Sequence, residues 1–188
     1  MASSKDIKEL VVKTLVYSDL FDYPLKKEEL MRWSIGGTLN DTLEKVNGVV
    51  YRRDDFFFLK ERDVLVALRK QREQYARKKM VKAKSVAQYL SLLPTIKLIG
   101  ISGSLSFDNT KRTDDIDLFV VSASNTLWLT RLLCITLLEI MGGRRRPKDR
   151  KVKDKVCLNM FADERFLRIP KNLQNLYKIN QPGNWSNG

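Results

Sequence analysis

Short apolar stretches separated by turn residues make up the N-terminal third of the chain. A first helix is predicted by positions that recur at helical spacing, namely Ile7, Leu10, Val11, Thr14 and Leu15. Residues 25–33 predict a second helix with Pro24 near its start, and residues 38–47 predict a third that Gly48 ends. Two apolar runs on either side of a charged turn at 52–55 then predict a hairpin over 49–59.

Three short helices followed by a hairpin are the element order of a winged helix-turn-helix module, which often binds DNA. The third helix would be the recognition helix, but it carries Lys45 against Asp41 and Glu44, a poor match for a phosphate-lined groove. The hairpin tip likewise combines Arg52 and Arg53 with two acidic residues. We therefore expect this module to dock or position a substrate rather than to grip DNA.

One long helix or two joined helices are predicted over residues 63–93, because apolar residues form a broken stripe there and Pro94 ends it. Residues 60–84 carry ten Lys and Arg against three Asp and Glu, and residues 144–155 carry eight against two. These two segments account for the whole net charge of +13. They are expected either to attract polyanions, such as nucleic acid or nucleoside triphosphates, or to be solvated faces.

Two further apolar runs, at 98–101 and 118–121, are short and bounded by turn residues, so both predict strands. Because side chains alternate between the faces of a strand, Asp115 and Asp117 are expected to point the same way while Ile116 points into the core. Two carboxylates this close repel each other unless a cation lies between them, and such pairs suit Mg²⁺. Asp114 would lie on the opposite face and is a weaker candidate.

The turn after the first of these strands offers groups that bind phosphate. Gly103 lets the backbone come close to a ligand, and the amide and hydroxyl of Ser104 can face a phosphate, especially if a helix begins there. Nucleotidyl transfer requires this combination, because a triphosphate must be held while metal ions activate the attacking oxygen and stabilise the leaving pyrophosphate.

Gly103-Ser104, ten intervening residues and Asp115-x-Asp117 between apolar runs resemble the signature of the DNA polymerase β-like nucleotidyltransferase superfamily. The resemblance covers roughly residues 95–162. It implies a metal-dependent enzyme that moves a nucleoside monophosphate from an NTP to a hydroxyl or phosphate acceptor, which can be a nucleic acid or a protein. Asp115 and Asp117 would hold Mg²⁺, or Mn²⁺ in its place, and Gly103 and Ser104 would hold the β- and γ-phosphates.

The resemblance departs from its pattern at the third carboxylate, which the superfamily places on a later strand. The matching strand is predicted over 155–161, and its centre carries Asn159. An asparagine carbonyl is a weak metal ligand that adds no charge and cannot act as a base, so the site is expected to bind one metal well and a second poorly. The alternative is therefore a catalytically degenerate module that binds nucleotide or nucleic acid. A toxin–antitoxin-like nucleotidyltransferase acting on RNA or a partner protein is a third interpretation.

Other features narrow the class of protein. The chain has no His, so His-based acid–base chemistry is excluded. Cys134 and Cys157 lie in apolar stretches and are interpreted as buried free thiols. The N-terminus is polar, and the longest apolar segment, 126–141, is interrupted by Arg131 and Glu139 and falls short of the roughly 18 residues of a membrane span. We expect a cytoplasmic protein without a signal peptide or membrane contact.

The predicted fold is α/β (α+β), with a small mixed nucleotidyltransferase-like sheet flanked by helices and preceded by a winged helix-turn-helix module. Residues 1–60 form the winged-helix-like module, 61–94 the basic connecting helix and 95–170 the nucleotidyltransferase-like domain. Residues 171–188 are expected to be a truncated tail. A helix over 126–141, apolar almost all round, is expected to be buried or covered, and the basic loop at 144–148 is expected to lie near the site.

Overall fold

A computed structural model of the chain describes residues 4–33 and 48–168, with side chains from residue 9 onward. Within these residues the protein is a mixed α/β structure with four α-helices and two small three-stranded sheets. The described residues divide into two compact units, one up to Lys70 and one from Gln71 onward. The predicted third helix at 38–47 and the predicted tail at 171–188 lie outside the described residues.

The first unit combines two helices with an antiparallel sheet. Helix α1 spans Ser4–Asp19 and helix α2 spans Lys27–Trp33, and strands β1 (Leu25–Lys26), β2 (Val50–Arg53) and β3 (Phe56–Leu59) pair in the order β1-β3-β2. The central strand is covered on both faces, because Phe57 packs into one apolar cluster and Phe56 and Phe58 pack with Val66 into another. The predicted hairpin is confirmed.

The start of the second helix differs from the prediction. Leu25 and Lys26 do not begin the helix but pair with Phe57 and Phe56 as a short strand, and the helix begins at Lys27. Leu25 is completely buried in this pairing. Local apolar spacing could not show this pairing, since its partner strand lies about 30 residues further along the chain.

The predicted long helix is confirmed as one continuous helix, α3, which spans Val64–Leu90. Its basic residues do not form one solvated face. Arg69, Arg72 and Lys79 are only 1%, 6% and 4% exposed, so the prediction of a solvated or polyanion-binding surface is wrong for these three. Arg69, for example, lies 3.7 Å over the ring of Tyr23 and donates to Glu29 at 3.0 Å. Buried basic side chains need such partners.

The second unit is a three-stranded sheet with helices packed against it. Strands β4 (Ile96–Ile101), β5 (Ile116–Ser122) and β6 (Val156–Asp163) pair in the order β4-β5-β6, antiparallel for β4 with β5 and parallel for β5 with β6. Helix α4 (Leu127–Ile140) makes the crossover that a parallel pair requires. The core joins β5 to residues of α3 and α4, namely Ala76, Ala83, Leu90, Ile116, Leu118, Cys134 and Leu138.

Helix α4 is covered on one side only. Thr130, Cys134 and Leu138 are buried, whereas Trp128, Leu132 and other large apolar side chains remain exposed, Trp128 to 77%. The expectation that this helix is buried or covered all round is therefore wrong within the described residues. Among the same residues, no helix combines the length and the apolar character that a membrane crossing demands.

Candidate functional site

The start of β5 brings two carboxylates together with a thiol from β6. Asp117 lies opposite Cys157 in the parallel pairing, and Ile116, which precedes it, is completely buried. One carboxylate oxygen each from Asp115 and Asp117 and the sulfur of Cys157 all lie within 4.8 Å of one another. Asp115 and Asp117 thus share one side while Ile116 faces the core, as the alternation along a strand requires.

The electrostatics of this cluster disfavour its ionised form. The pKa of Asp117 is raised, first by burial and then by the neighbouring charge of Asp115, although a hydrogen bond from the thiol of Cys157 partly opposes the rise. The pKa of Cys157 is also raised, chiefly by burial and then by the charges of Asp117 and Asp115. A bound cation would remove this repulsion.

Arg145 already supplies one positive charge. Its guanidinium Nη1 donates to Asp115 Oδ2 at 2.5 Å, and this bond raises the pKa of Arg145. The backbone holds the arginine in place, because the Arg145 amide donates to the carbonyl of Val156 at 2.8 Å and the Val156 amide donates to Gly143 at 2.7 Å. The expectation that the 144–148 loop lies near the paired carboxylates is confirmed, and Arg145 contacts one of them, Asp115.

Gly103 is required by Asp117 itself. Gly103 has φ +66°, and a Cβ atom placed there would collide with Asp117 Oδ2 and lie 3.3 Å from its Cγ. It begins a short 3₁₀-helical turn that spans Gly103–Phe107. Gly103 was expected to let the backbone come close to a ligand. In the structure its missing side chain makes room for the Asp117 carboxylate.

We expect Gly103→Ala to destabilise the protein and to displace Asp117. The left-handed φ costs roughly 1–2 kcal/mol for alanine, and the collision adds to this cost. Gly142→Ala is the matched control, since Gly142 has φ +65° with nothing within 4 Å of the added Cβ. Chemical denaturation of both variants measures the difference. Equal losses would show that the contact with Asp117 is unimportant.

Asp114 organises the loop between β4 and β5. Its Oδ2 accepts hydrogen bonds from the Lys111 amide at 2.8 Å, from Ser104 Oγ at 3.2 Å and from Thr110 Oγ1 at 3.3 Å. The hydroxyl of Ser104, expected to face a phosphate, is thus bonded to Asp114. Asp114 is a structural carboxylate that draws the loop residues together beside the cluster.

Lys79, on helix α3, holds the same loop through hydrogen bonds to its backbone. Its buried ammonium donates to the Asp114 carbonyl and to Asp154 Oδ1, both at 2.6 Å, and to the Arg112 carbonyl at 3.3 Å. The Asp114 carbonyl also accepts from the Asp154 amide at 3.1 Å. Because Asp115 follows Asp114 directly, this network sets the position from which the first carboxylate of the cluster projects. Sequence reasoning missed Lys79, which it treated as one member of a basic face.

Asn159, the expected weak third ligand, lies at an irregularity of the sheet. The pairing shifts between Leu118 and Phe119 of β5, so that Asn159 has no paired residue, and its side chain is exposed. The residue opposite Asp117 is Cys157, which sequence reasoning interpreted as a buried thiol. That interpretation is confirmed for Cys134 and wrong for Cys157, which is only half-buried. The register of the parallel pair depends on a bulge between two strands that are distant in sequence. Nothing in either strand alone could therefore have identified Cys157 as the neighbour of Asp117.

Glu139 at the end of α4 anchors the arginines on either side of Arg145. It accepts from Arg144 Nη1 at 2.7 Å and from Arg146 Nη2 at 2.7 Å. These two bonds, that to Arg146 first, lower the pKa of Glu139 to about 2. One carboxylate therefore serves two guanidinium groups at the edge of the site.

This pairing predicts a pH-dependent contribution to stability. A carboxyl whose pKa is lowered by folding stabilises the folded state above its ordinary pKa of 4.5, and the contribution disappears as the pH falls towards about 2. Glu139→Gln should therefore lower the melting temperature at pH 7 and have little effect near pH 2. Glu61→Gln, at an exposed carboxylate, is the control. A Glu139→Gln effect that is equal at both pH values would contradict the prediction.

Comparison of the chain with protein-family models, with curated proteins and with solved structures finds no match in any of the three.

Proposed function

We propose that the protein is a metal-dependent nucleotidyltransferase of the DNA polymerase β-like type, which moves a nucleoside monophosphate from an NTP to a hydroxyl or phosphate acceptor. The observation that carries the proposal is the pair Asp115 and Asp117, whose carboxylates meet at the start of β5. The turn that begins at Gly103 lies directly against Asp117. A carboxylate pair in contact with a glycine-serine turn is the arrangement that the resemblance to this superfamily implies, and metal ions held by such carboxylates would serve nucleotidyl transfer.

The donor set at the cluster fits a divalent cation. Two carboxylate oxygens and a thiol lie within 4.8 Å of one another. Arg145 compensates the charge of Asp115, but the raised pKa of Asp117 shows that the cluster still disfavours a second negative charge. Asp115 and Asp117 would hold Mg²⁺, or Mn²⁺, which the thiol of Cys157 favours because softer ions accept sulfur better. Such an ion supplies charge neutralisation at the transferred phosphoryl group. Asn159 stays a predicted weak ligand.

The protein's own groups have distinct roles in this proposal. The backbone amides at Gly103 and Ser104 would contact the β- and γ-phosphates, while the Ser104 hydroxyl stays with Asp114. Arg145 neutralises Asp115, and its guanidinium would contact phosphate oxygens if Asp115 held a metal ion instead. Asp114 and Lys79 keep the loop in one conformation, so that the carboxylates are preorganised.

The first unit supports a winged-helix interpretation. A short strand before α2 pairs with the hairpin of β2 and β3, which is the sheet that such modules carry beside their helices. Asp54 at the hairpin tip is paired with Lys70 and Asp55 with Arg52, so the acids of this turn offset its basic residues. We propose that this unit docks or positions the acceptor rather than gripping DNA.

A catalytically degenerate module that binds nucleotide or nucleic acid is the second candidate. The observation that favours it concerns the third carboxylate of the superfamily. On the strand expected to carry that carboxylate, the structure has Cys157 opposite Asp117 and an exposed Asn159. Neither residue offers the ionised oxygen ligand that a carboxylate provides at neutral pH. Under this candidate the cluster would bind a nucleotide with its ion but leave it unchanged.

A labelling experiment tests the enzymatic proposal. The protein is incubated with Mg²⁺ or Mn²⁺, RNA and a heat-inactivated protein extract, and with ATP labelled at either the α- or the γ-phosphate. We expect the α-label to appear in an acceptor and the γ-label to leave as pyrophosphate, and we expect Asp117→Asn to abolish the α-label. Transfer of the γ-label, or α-labelling that persists in Asp117→Asn, would overturn the proposal.

A further inference from the structure

A cleft beside the cluster is lined by four arginines and by apolar side chains. It has a volume of about 320 Å³ and is formed by helix α4, the loop after it and β6. We call it the arginine cleft and define it by Arg131, Arg144, Arg145, Arg146, Cys157 and Phe161. Cys157 belongs to both the arginine cleft and the carboxylate cluster, so the two are contiguous.

The positive charge of the arginine cleft is only partly compensated by ion pairs. Arg144 and Arg146 share one carboxylate, that of Glu139, and Arg145 is paired with Asp115. Arg131 has no carboxylate partner within the described part of the chain and lies 5.5 Å over the ring of Phe161. Four guanidinium groups thus line the arginine cleft, and the carboxylates that pair with three of them lie outside its lining.

This arrangement has the chemistry of a phosphate site. Guanidinium groups present paired N–H donors that match phosphate oxygens, and they are less strongly hydrated than ammonium groups. Phe161 and Pro147 add apolar surface on which a flat ring can rest. The volume lies at the lower end of the range of small-molecule sites, roughly 300–1,000 Å³, which suits a mononucleotide-sized ligand.

We propose that the arginine cleft binds a phosphomonoester of about nucleotide size, with its phosphate on the arginines and its ring against Phe161. Binding by itself requires no metal. The inference rests on the proposed function in one respect only: if the protein transfers nucleotides, this ligand is the acceptor, because it lies beside Asp115 and Asp117 rather than on the Gly103 turn.

Calorimetry in EDTA tests this binding without the metal-dependent site. AMP is titrated into the full chain, with adenosine as the probe that lacks the phosphate. We expect AMP to bind and adenosine to bind at least tenfold more weakly, since hydrogen bonds to charged groups contribute roughly 1.5–3 kcal/mol. Raising the salt concentration should weaken AMP binding. Equal binding of the two probes, or no binding of AMP, would overturn the proposal.

Variants then assign the binding to the arginine cleft. Arg131→Gln should weaken AMP binding roughly tenfold. Arg77→Gln makes the same change of charge at an exposed position of the same unit, outside the arginine cleft, and should leave the affinity unchanged. Glu139→Gln, which frees two guanidinium groups, should strengthen binding. If both variants fold and Arg131→Gln and Arg77→Gln change the AMP affinity equally, the assignment to the arginine cleft is overturned.

Two further probes separate the possible sources of the phosphate. A 5′-phosphorylated dinucleotide that binds as well as AMP would identify a nucleic-acid end as the acceptor, and preference for AMP would identify a free mononucleotide. Inorganic phosphate that competes as well as AMP would show that Phe161 contributes nothing and would overturn the nucleotide-sized ligand. The proposed function is tested separately. It fails if the parent chain shows no metal-dependent binding of ATP when EDTA is absent.

Discussion

Asp117→Asn is expected to make the metal-free protein more stable at neutral pH while removing its ability to bind a divalent cation. The pKa of Asp117 is raised by burial and by Asp115, so its ionised form is less favourable in the folded chain than in the unfolded chain. The unfolded chain therefore loses its proton first as the pH rises, and stability is lost across that range. An amide removes this cost and still accepts a hydrogen bond from the thiol of Cys157.

Thermal unfolding with and without metal measures both effects. Mg²⁺ or Mn²⁺ at about 100 times its Kd should stabilise the parent protein by about 2.7 kcal/mol and leave Asp117→Asn unchanged. Asp108→Asn is the control, because Asp108 is exposed and has the left-handed backbone that asparagine tolerates. A variant that is less stable than the parent without metal, or equally stabilised by metal, would contradict the account of the cluster.

Lys79→Met is expected to destabilise the second unit by about 3 kcal/mol. The change removes the buried ammonium that donates to Asp154 and to the carbonyls of Asp114 and Arg112. Among the described residues, Asp154 then keeps only Lys153, at 4.0 Å, and the Asp114 carbonyl keeps only the Asp154 amide. Breaking a buried pair by removing one partner costs about 3–5 kcal/mol, and the partial exposure of Asp154 favours the lower value. Denaturant unfolding followed by circular dichroism measures the loss.

The neighbouring lysine provides the control. Lys78 is exposed on the same helix, and Lys78→Met should change the free energy of unfolding by no more than about 0.5 kcal/mol. Asp154→Asn combined with Lys79→Met should recover part of the loss, because both charges are then gone and asparagine tolerates the left-handed backbone of this position. Equal stability of Lys79→Met and Lys78→Met would show that the network below Asp114 has no energetic role.

The sequence predicts those features that depend on residues close together along the chain. The two strands on either side of the Gly103 turn are confirmed, because each is an apolar run bounded by turn residues. The placement of Asp115 and Asp117 on one side follows from alternation within three residues. The hairpin of β2 and β3 is confirmed for the same reason, since a two-residue turn separates its strands.

Long-range features could not be predicted in this way. A bulge in the parallel pairing places Cys157 opposite Asp117 and leaves Asn159 without a partner, and nothing in either strand alone shows this register. The burial of Arg69 and Lys79 depends on acceptors distant in sequence, such as Glu29 and Asp154. A run of basic residues therefore indicates charge but does not show which members face solvent.

Metal-dependent nucleotide binding by the carboxylate pair is the central claim, and calorimetry tests it most directly. ATP is titrated into the parent chain and into Asp115→Asn/Asp117→Asn, each with Mg²⁺ or Mn²⁺ and again with EDTA. The account predicts a strong metal-dependent binding event in the parent that EDTA and the double substitution both abolish. Binding of ATP that is identical in the parent and the double variant, or that is unaffected by EDTA, would contradict it.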